Sequence, residues 1–335
     1  MKALKRTLII LLIILLALIS FGGIYIQKTK FVENILPEYK LGPDFTGLRN
    51  IGLKVSDATK DIYYDLDGNV VDEEGKNTTK KVESVNKEEN LTKDNYKKAK
   101  EIIEKRLEKI KQVQYTSAGI VENKAIDYYT IKQNEETGKI ELKLPENANT
   151  DMVLKYVAIK GDFTIVDDQD NVLMDNSYIK EANVGYSSTG SGVTVYLTIQ
   201  FDKQGTEKLK EISNTFIKTT DEEGNDTTKK IKVKIDDSEM LNTYFTEEIS
   251  NGIIQLSFGT ATGNSLATYA QEAKNLETLL NAGNLPIVYE ADENHYVLSD
   301  INKDMLFIPT IVIMSLLVIG ITVSYTHLRA HETGR

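Results

Sequence analysis

Two long, predominantly apolar stretches of the chain carry no charged residue: 7–26 over 20 positions and 305–323 over 19. Each is long enough to cross about 30 Å of hydrocarbon as a helix. The pattern predicts transmembrane helices at 7–26 and 305–323, a short N-terminal segment at 1–6, and a domain of residues 27–304 between the two spans. Inside that domain, residues 193–201 (VTVYLTIQF) alternate, with Val193, Val195, Leu197, Ile199 and Phe201 on one face. Residues 230–235 and 139–144 alternate too, and 252–258 sets Ile254, Leu256 and Phe258 together. A period of two marks half-buried strands. Residues 92–112 place Tyr96, Ala99, Ile102, Ile103, Leu107 and Ile110 at helical spacing after Thr92, a good N-cap. Residues 205–217 and 265–281 repeat that spacing, the latter stopping at Gly283.

In order, the second half reads strand (193–201), helix, strand (230–235), strand (252–258), helix, strand (286–290). The first half reads strand 50–56, helix 92–111, strand 113–121, strand 139–144, helix 150–159, strand 162–167. Both follow the βαββαβ order of a ferredoxin-like unit. The predicted class is α+β: two such units, or one unit carrying the other, rearranged, as an insertion. Residues 60–91 and 219–230 are polar and read as loops. They share DEEG-x-x-TTKK at 72–81 and 221–230, read as two solvated turns of similar composition. Gly185–Gly192 (GYSSTGSG) reads as a connector or hinge candidate.

Charge sharpens this division. The 335 residues carry a formal charge of −10. Lys2, Lys5 and Arg6 contribute +3 and the last twelve residues +1, so residues 27–304 hold −14. An acidic domain argues against nucleic acid as a partner. The basic start and the long apolar run favour an uncleaved anchor with residues 27–304 outside the cytoplasm. The absence of Cys excludes disulfides, thiolate metal sites and a thiol nucleophile. It suits a bacterial extracytoplasmic domain that does not depend on disulfides.

Little of the sequence points to chemistry. Asp168-Gln-Asp170-Asn171 and Asp65-Leu-Asp67-Gly68 lack the remaining ligand spacing of a calcium loop and read as turns. No Gly-Lys-Ser/Thr phosphate loop and no Gly-x-Ser-x-Gly elbow occurs. His295 stands alone in a polar run. Neither apolar run contains an ionisable residue, so neither carries a proton path of its own. No catalytic residue, metal or cofactor is implied.

A series of short motifs points to a family. After the first apolar run stands Leu41-Gly42-Pro43-Asp44-Phe45-Thr46-Gly47-Leu48. Then come Arg106 near the end of a helix, Leu144-Pro145 at the end of a strand, and Leu280-Asn281-Ala282-Gly283-Asn284-Leu285-Pro286 before the second run. In this order and spacing, over roughly residues 5–323, they resemble the SecD family of bacterial protein-export subunits. Pro43, Leu48 and Glu146 depart from its pattern, and the Gly-Pro-Ser-Leu-Gly that usually follows the last motif is absent. The family positions matched here are Leu41, Gly42, Asp44, Gly47, Arg106, Leu144, Pro145, Gly283, Leu285 and Pro286.

The resemblance implies a multi-pass protein of the bacterial cell membrane with a large extracytoplasmic domain. That domain would have a ferredoxin-like base and an inserted head that can swing, divided as 27–168, 169–250 (head) and 251–304 (return to base). It implies partners as well: a SecF-like subunit, the SecYEG channel, membrane lipid and an unfolded exported polypeptide, pulled outward at the expense of the proton gradient. The proton-carrying residues of the family lie in later spans. Residues 324–335 (SYTHLRAHETGR) do not continue the pattern; they resemble translated sequencing-adapter sequence and are read as non-native. A rival expectation is a two-span, membrane-anchored sensor or adhesion domain.

Overall fold

The computed structural model describes residues 47–64, 70–71, 79–220 and 228–298, with shorter pieces at 11–15, 19, 25–28, 31–34, 312–313, 315–317, 319–320 and 323. The chain divides into two units, Met1–Gly47 with Leu298–Arg335, and Leu48–Val297. In the first unit the described elements include a hairpin of β1 (Tyr25–Lys28) and β2 (Phe31–Asn34). Tyr25 and Ile26 are thus strand, not the end of a helix. Most of 7–26 and 305–323, and with them Leu41, Gly42 and Asp44, lie outside the described residues. Among the described residues, no helix is long and apolar enough to cross a membrane.

The second unit opens with β3 (Leu48–Val55), β4 (Thr59–Tyr64), β5 (Val70–Val71) and β6 (Thr79–Ser84). Helix α1 (Lys93–Lys109) follows, capped by the Thr92 hydroxyl, which accepts from the Asn95 N–H. Next come β7 (Lys111–Thr116), β8 (Gly119–Lys124), β9 (Thr130–Gln133), β10 (Ile140–Pro145) and α2 (Thr150–Val157). Then β11 (Phe163–Val166), β12 (Val172–Asp175), β13 (Ile179–Thr189) and β14 (Gly192–Phe201) lead to α3 (Lys203–Thr215). The unit closes with β15 (Ile231–Ile235), β16 (Ser238–Thr243), β17 (Ile253–Ala261), α4 (Gly263–Ala282) and β18 (Tyr289–Val297).

Four strands form one antiparallel sheet in the order β18-β3-β10-β9. Ile51, Leu53, Ile140, Leu142 and Leu144 point from it into a core shared with Tyr96, Ala99, Ile102, Ile103 and Leu107 of α1 and Val153 and Val157 of α2. A second core lies within the stretch between α2 and β18. Its sheets are β12-β11-β15-β16 and β13-β14-β17, packed with α3 and one face of α4. This core reaches from Phe163 to Leu280, wider than the head predicted at 169–250. Helix α4 serves both cores. Leu276, Leu279 and Leu280 belong to the second, and Ala282, with Leu285 just beyond the helix, to the first.

Several expectations need correction. The strand expected at 113–121 is the hairpin β7–β8, set apart from the four-stranded sheet. The strand expected at 162–167 pairs with β12 and β15. The four strands expected to make a second ferredoxin-like unit are dealt among three sheets, so no such second unit forms. Residues 60–91 are not all loop: β4, β5 and β6 make a three-stranded ribbon, tied by the Lys80–Asp61 ion pair at 2.6 Å and by the Tyr64 hydroxyl donating to Glu83 at 3.0 Å. Gly185–Gly192 is no hinge but the tip of the β13–β14 hairpin, where Thr189 pairs with Gly192. Asp170 sits in the β11–β12 turn with φ 60° and bonds Lys234 at 2.6 Å, which suits a turn. Among the described residues, no cluster of His, Cys, Asp or Glu has the arrangement of a metal site.

Candidate functional site

The chain uses Lys almost everywhere a cation is needed, and of its Arg only Arg49 and Arg106 fall in the second unit. Both are buried, at 3% and 1% exposure. A guanidinium presents five donors in a rigid fork and is less strongly hydrated than an ammonium, so it suits buried positions that Lys cannot fill.

Arg106 projects from the last turn of α1 into the joint between the two cores. The chain leaves the first core at Ala158–Asp162 and returns at Gly283–Val288. Arg106 Nη1 donates to the carbonyls of Val157 (3.1 Å) and Ile159, and Nη2 to those of Lys160 (3.0 Å) and Gly283 (2.8 Å). The Val157 carbonyl ends α2 and that of Gly283 caps α4, where the helix dipole is negative and the last carbonyls lack intrahelical partners, while those of Ile159 and Lys160 lie in the outgoing crossing. One side chain therefore satisfies both helix ends and both crossings. Among the described residues no carboxylate bonds to it; burial lowers its pKa to about 10, with the field of Asp236 opposing. It stays charged at neutral pH.

The surrounding polar groups close the joint. Leu285 N–H donates to the Lys160 carbonyl at 2.8 Å, joining the outgoing and returning chains directly. The Asp236 carboxylate accepts from the N–H groups of Gly161 (2.9 Å) and Asp162 (2.8 Å). Asn284 Nδ2 donates to Asp162 at 2.7 Å, and Asn176 Nδ2 to the Gly161 carbonyl at 3.0 Å. Gly161 has φ +80°, and a Cβ there would lie 2.9 Å from both Arg106 Nη2 and Leu279. Position 161 therefore admits no side chain.

A second constellation lies where the unit's two ends meet. Val297 pairs with Leu48, so the entering and leaving strands run side by side. Arg49 Nε and Nη2 donate to Glu146 at 2.7 and 2.8 Å, Nη1 donates to Asp151 at 3.0 Å, and its guanidinium lies 4.1 Å from the centre of the Tyr296 ring. The bond to Glu146 raises the pKa of Arg49 against its burial. One cation thus ties β3, the end of β10, α2 and β18 together.

Among the predicted positions, Arg106 and Gly283 touch, and Leu285, fully buried, lies beside them. Pro286 is half-buried at the same crossing. Leu144 and Pro145 end β10, paired with Arg49 and Leu48, and Gly47 enters β3 with φ +79°. Arg49 was not anticipated. Its signal was its rarity: an Arg in so Lys-rich a domain is a candidate for a buried fork. Glu146, which departs from the family pattern, is the partner of Arg49. His295 is exposed on β18, 3.8 Å from Glu293, and joins no site.

No protein-family model matches the chain, and no curated protein sequence does. The structure is similar to crystalline SecDF in its super-membrane-facing form, with a TM-score of 0.50 and 15% identity over 88% of this chain. The fold is SecD-like. The chain spans about a third of that SecDF, 35% of its length. A further structure, of a membrane component SecDF that enhances protein export, matches with a TM-score of 0.45 at 14% identity, over 73% of this chain and 98% of that one.

Proposed function

We propose that the chain is part of a SecD-like subunit that binds a polypeptide as it emerges from the Sec channel and aids its export. The likeness of fold over 88% of the chain carries this reading. The order of motif residues supports it, since Arg106 and Gly283, 177 positions apart, meet in one joint. In this reading the sheet β18-β3-β10-β9 is a ferredoxin-like base. Its strands, numbered along the chain, stand in the order four, one, three, two, with α1 and α2 as crossovers. The second core is the inserted head. The charge-free runs 7–26 and 305–323 anchor the domain in the membrane with residues 27–304 outside, and a SecF-like subunit and the SecYEG channel are its partners. The proton gradient does its work through spans that are not in this chain.

Depletion of the gene product from its own cells tests the role. Pulse-labelled secretory precursors should keep their signal sequences longer than in undepleted cells. Processing at an unchanged rate would refute an export function.

A further inference from the structure

The sheet β13-β14-β17 differs from the rest of the domain in charge. Residues 182–201 and 249–271 contain no Asp, Glu, Lys or Arg, in a chain that is 27% charged. After Glu181 the sheet's strands are therefore neutral. Its open face carries Asn183, Ser187, Thr194, Thr198, Gln255 and Ser257, with the Tyr196 ring laid against Gly185.

One edge of this sheet is β13, and its hydrogen-bond register can be read. The Asn281 side chain on α4 accepts from the Ala182 N–H at 2.8 Å and donates to the Ala182 carbonyl at 2.7 Å. Ala182 therefore faces away from β14. In an antiparallel ladder the outward positions alternate. The N–H and C=O groups of Val184, Tyr186 and Ser188 thus point outward as well, and the Thr189–Gly192 turn closes the far end. Asn281 already occupies the first outward position as a strand would. Beyond it the edge has no Lys, Pro or bulge, the devices that normally protect such edges.

We propose that this edge, Val184 to Ser188, receives an extended polypeptide segment as an added antiparallel strand. The proposal rests on the export reading above and names where and how the client is held. Recognition through main-chain groups is indifferent to sequence, as a binder of many unfolded chains requires. Charge narrows the class. The charged groups around Tyr186 are Glu122, Glu277 and Lys274, with Lys274 3.3 Å from Glu122 and 2.7 Å from Glu277. Their net charge is negative, within a −14 domain, so neutral and basic segments should bind better than acidic ones.

The probe is a fluorescent peptide of alternating Thr and Val, in neutral, Lys-bearing and Glu-bearing forms, added to the full chain in detergent. The neutral and basic peptides should bind and slow amide exchange at Val184, Tyr186 and Ser188. Tyr186→Pro deletes one outward N–H without touching the β14 ladder and should weaken binding by about tenfold or more. Tyr186→Phe should leave binding unchanged. Equal binding by Tyr186→Pro, unchanged exchange at saturating peptide, or chain dimers paired through β13 would overturn the proposal. Crosslinking of an exporting client from residues elsewhere in the domain, with none from Tyr186, would overturn it while leaving the export reading intact. Peptide pairing at β13 without effect of depletion on precursor processing would do the reverse.

Discussion

Arg106→Met should destabilise the second unit by about 3–5 kcal/mol, the largest effect of any single substitution here. The carbonyls of Val157, Ile159 and Gly283 would lose a charged donor in a largely buried joint, while that of Lys160 keeps the Leu285 N–H, and each carbonyl left buried without a partner costs on the order of 1–3 kcal/mol. Methionine fills similar volume, so a cavity adds little. The loss of a charge that had no ion partner offsets part of the cost, which keeps the total below the sum over the carbonyls. For a unit of this size the melting temperature should fall by about 10 °C. Arg106→Lys should rescue only in part, because one ammonium lacks the fork that spans the ends of α2 and α4. The more specific consequence is loss of coupling. Amide exchange in β11, β14 and β15 should speed up relative to β3 and β10, because the two cores then open separately. Equal exchange in both cores, with an unchanged melt, would show that Arg106 does not hold the joint.

Arg49→Leu should cost about 2 kcal/mol, from the bidentate bond to Glu146 and the single bond to Asp151. The cost is smaller than at Arg106 because Glu146 is 32% and Asp151 85% exposed, so water takes up the released carboxylates. A double-mutant cycle with Glu146→Gln isolates the pair. We expect a coupling energy of about 1–2 kcal/mol, against the few tenths found for independent sites. Coupling at that lower level would mean that Glu146, although it departs from the family motif, is incidental to Arg49. The pair closes the end of the sheet at which both connections to the rest of the chain leave.

Much of the fold was legible where one face of an element meets a core. β14 alternates in sequence, and Val195, Leu197, Ile199 and Phe201 are buried as the alternation requires. Helix α1 shows its apolar stripe and its Thr92 cap, and α4 its stop at Gly283. The elements that sequence reading missed have no such contrast. Of β18 (YEADENHYV) the strand expected at 286–290 caught only the first two residues; the rest is an exposed edge, held to β3 by backbone pairing and by Lys54 with Glu290 at 2.7 Å. The ribbon of β4 and β6 is held by a surface ion pair, Lys80 with Asp61, and a Tyr64–Glu83 hydrogen bond, which leave no apolar period.

Pairing was the second limit. The βαββαβ order was visible, but which strands fill it was not. β10 joins β3 across a span that includes α1 and the β7–β8 hairpin, and β18 joins β3 from the other end of the unit. Local patterning holds no record of such long-range registers. The same is true of the joint. Arg106 and Gly283 were each visible as positions in a motif, but their meeting depends on how α2 and α4 end. That single guanidinium reaches both helix ends only once the two cores are assembled.

The central claim is that this domain meets a polypeptide in the act of export. A photoreactive residue placed at Tyr186, in cells exporting a client arrested partway, tests it most directly. The account predicts a crosslinked adduct with the arrested client that disappears when export is blocked before the client enters the channel. No adduct from Tyr186 or from any other exposed position of the domain during active export would contradict it.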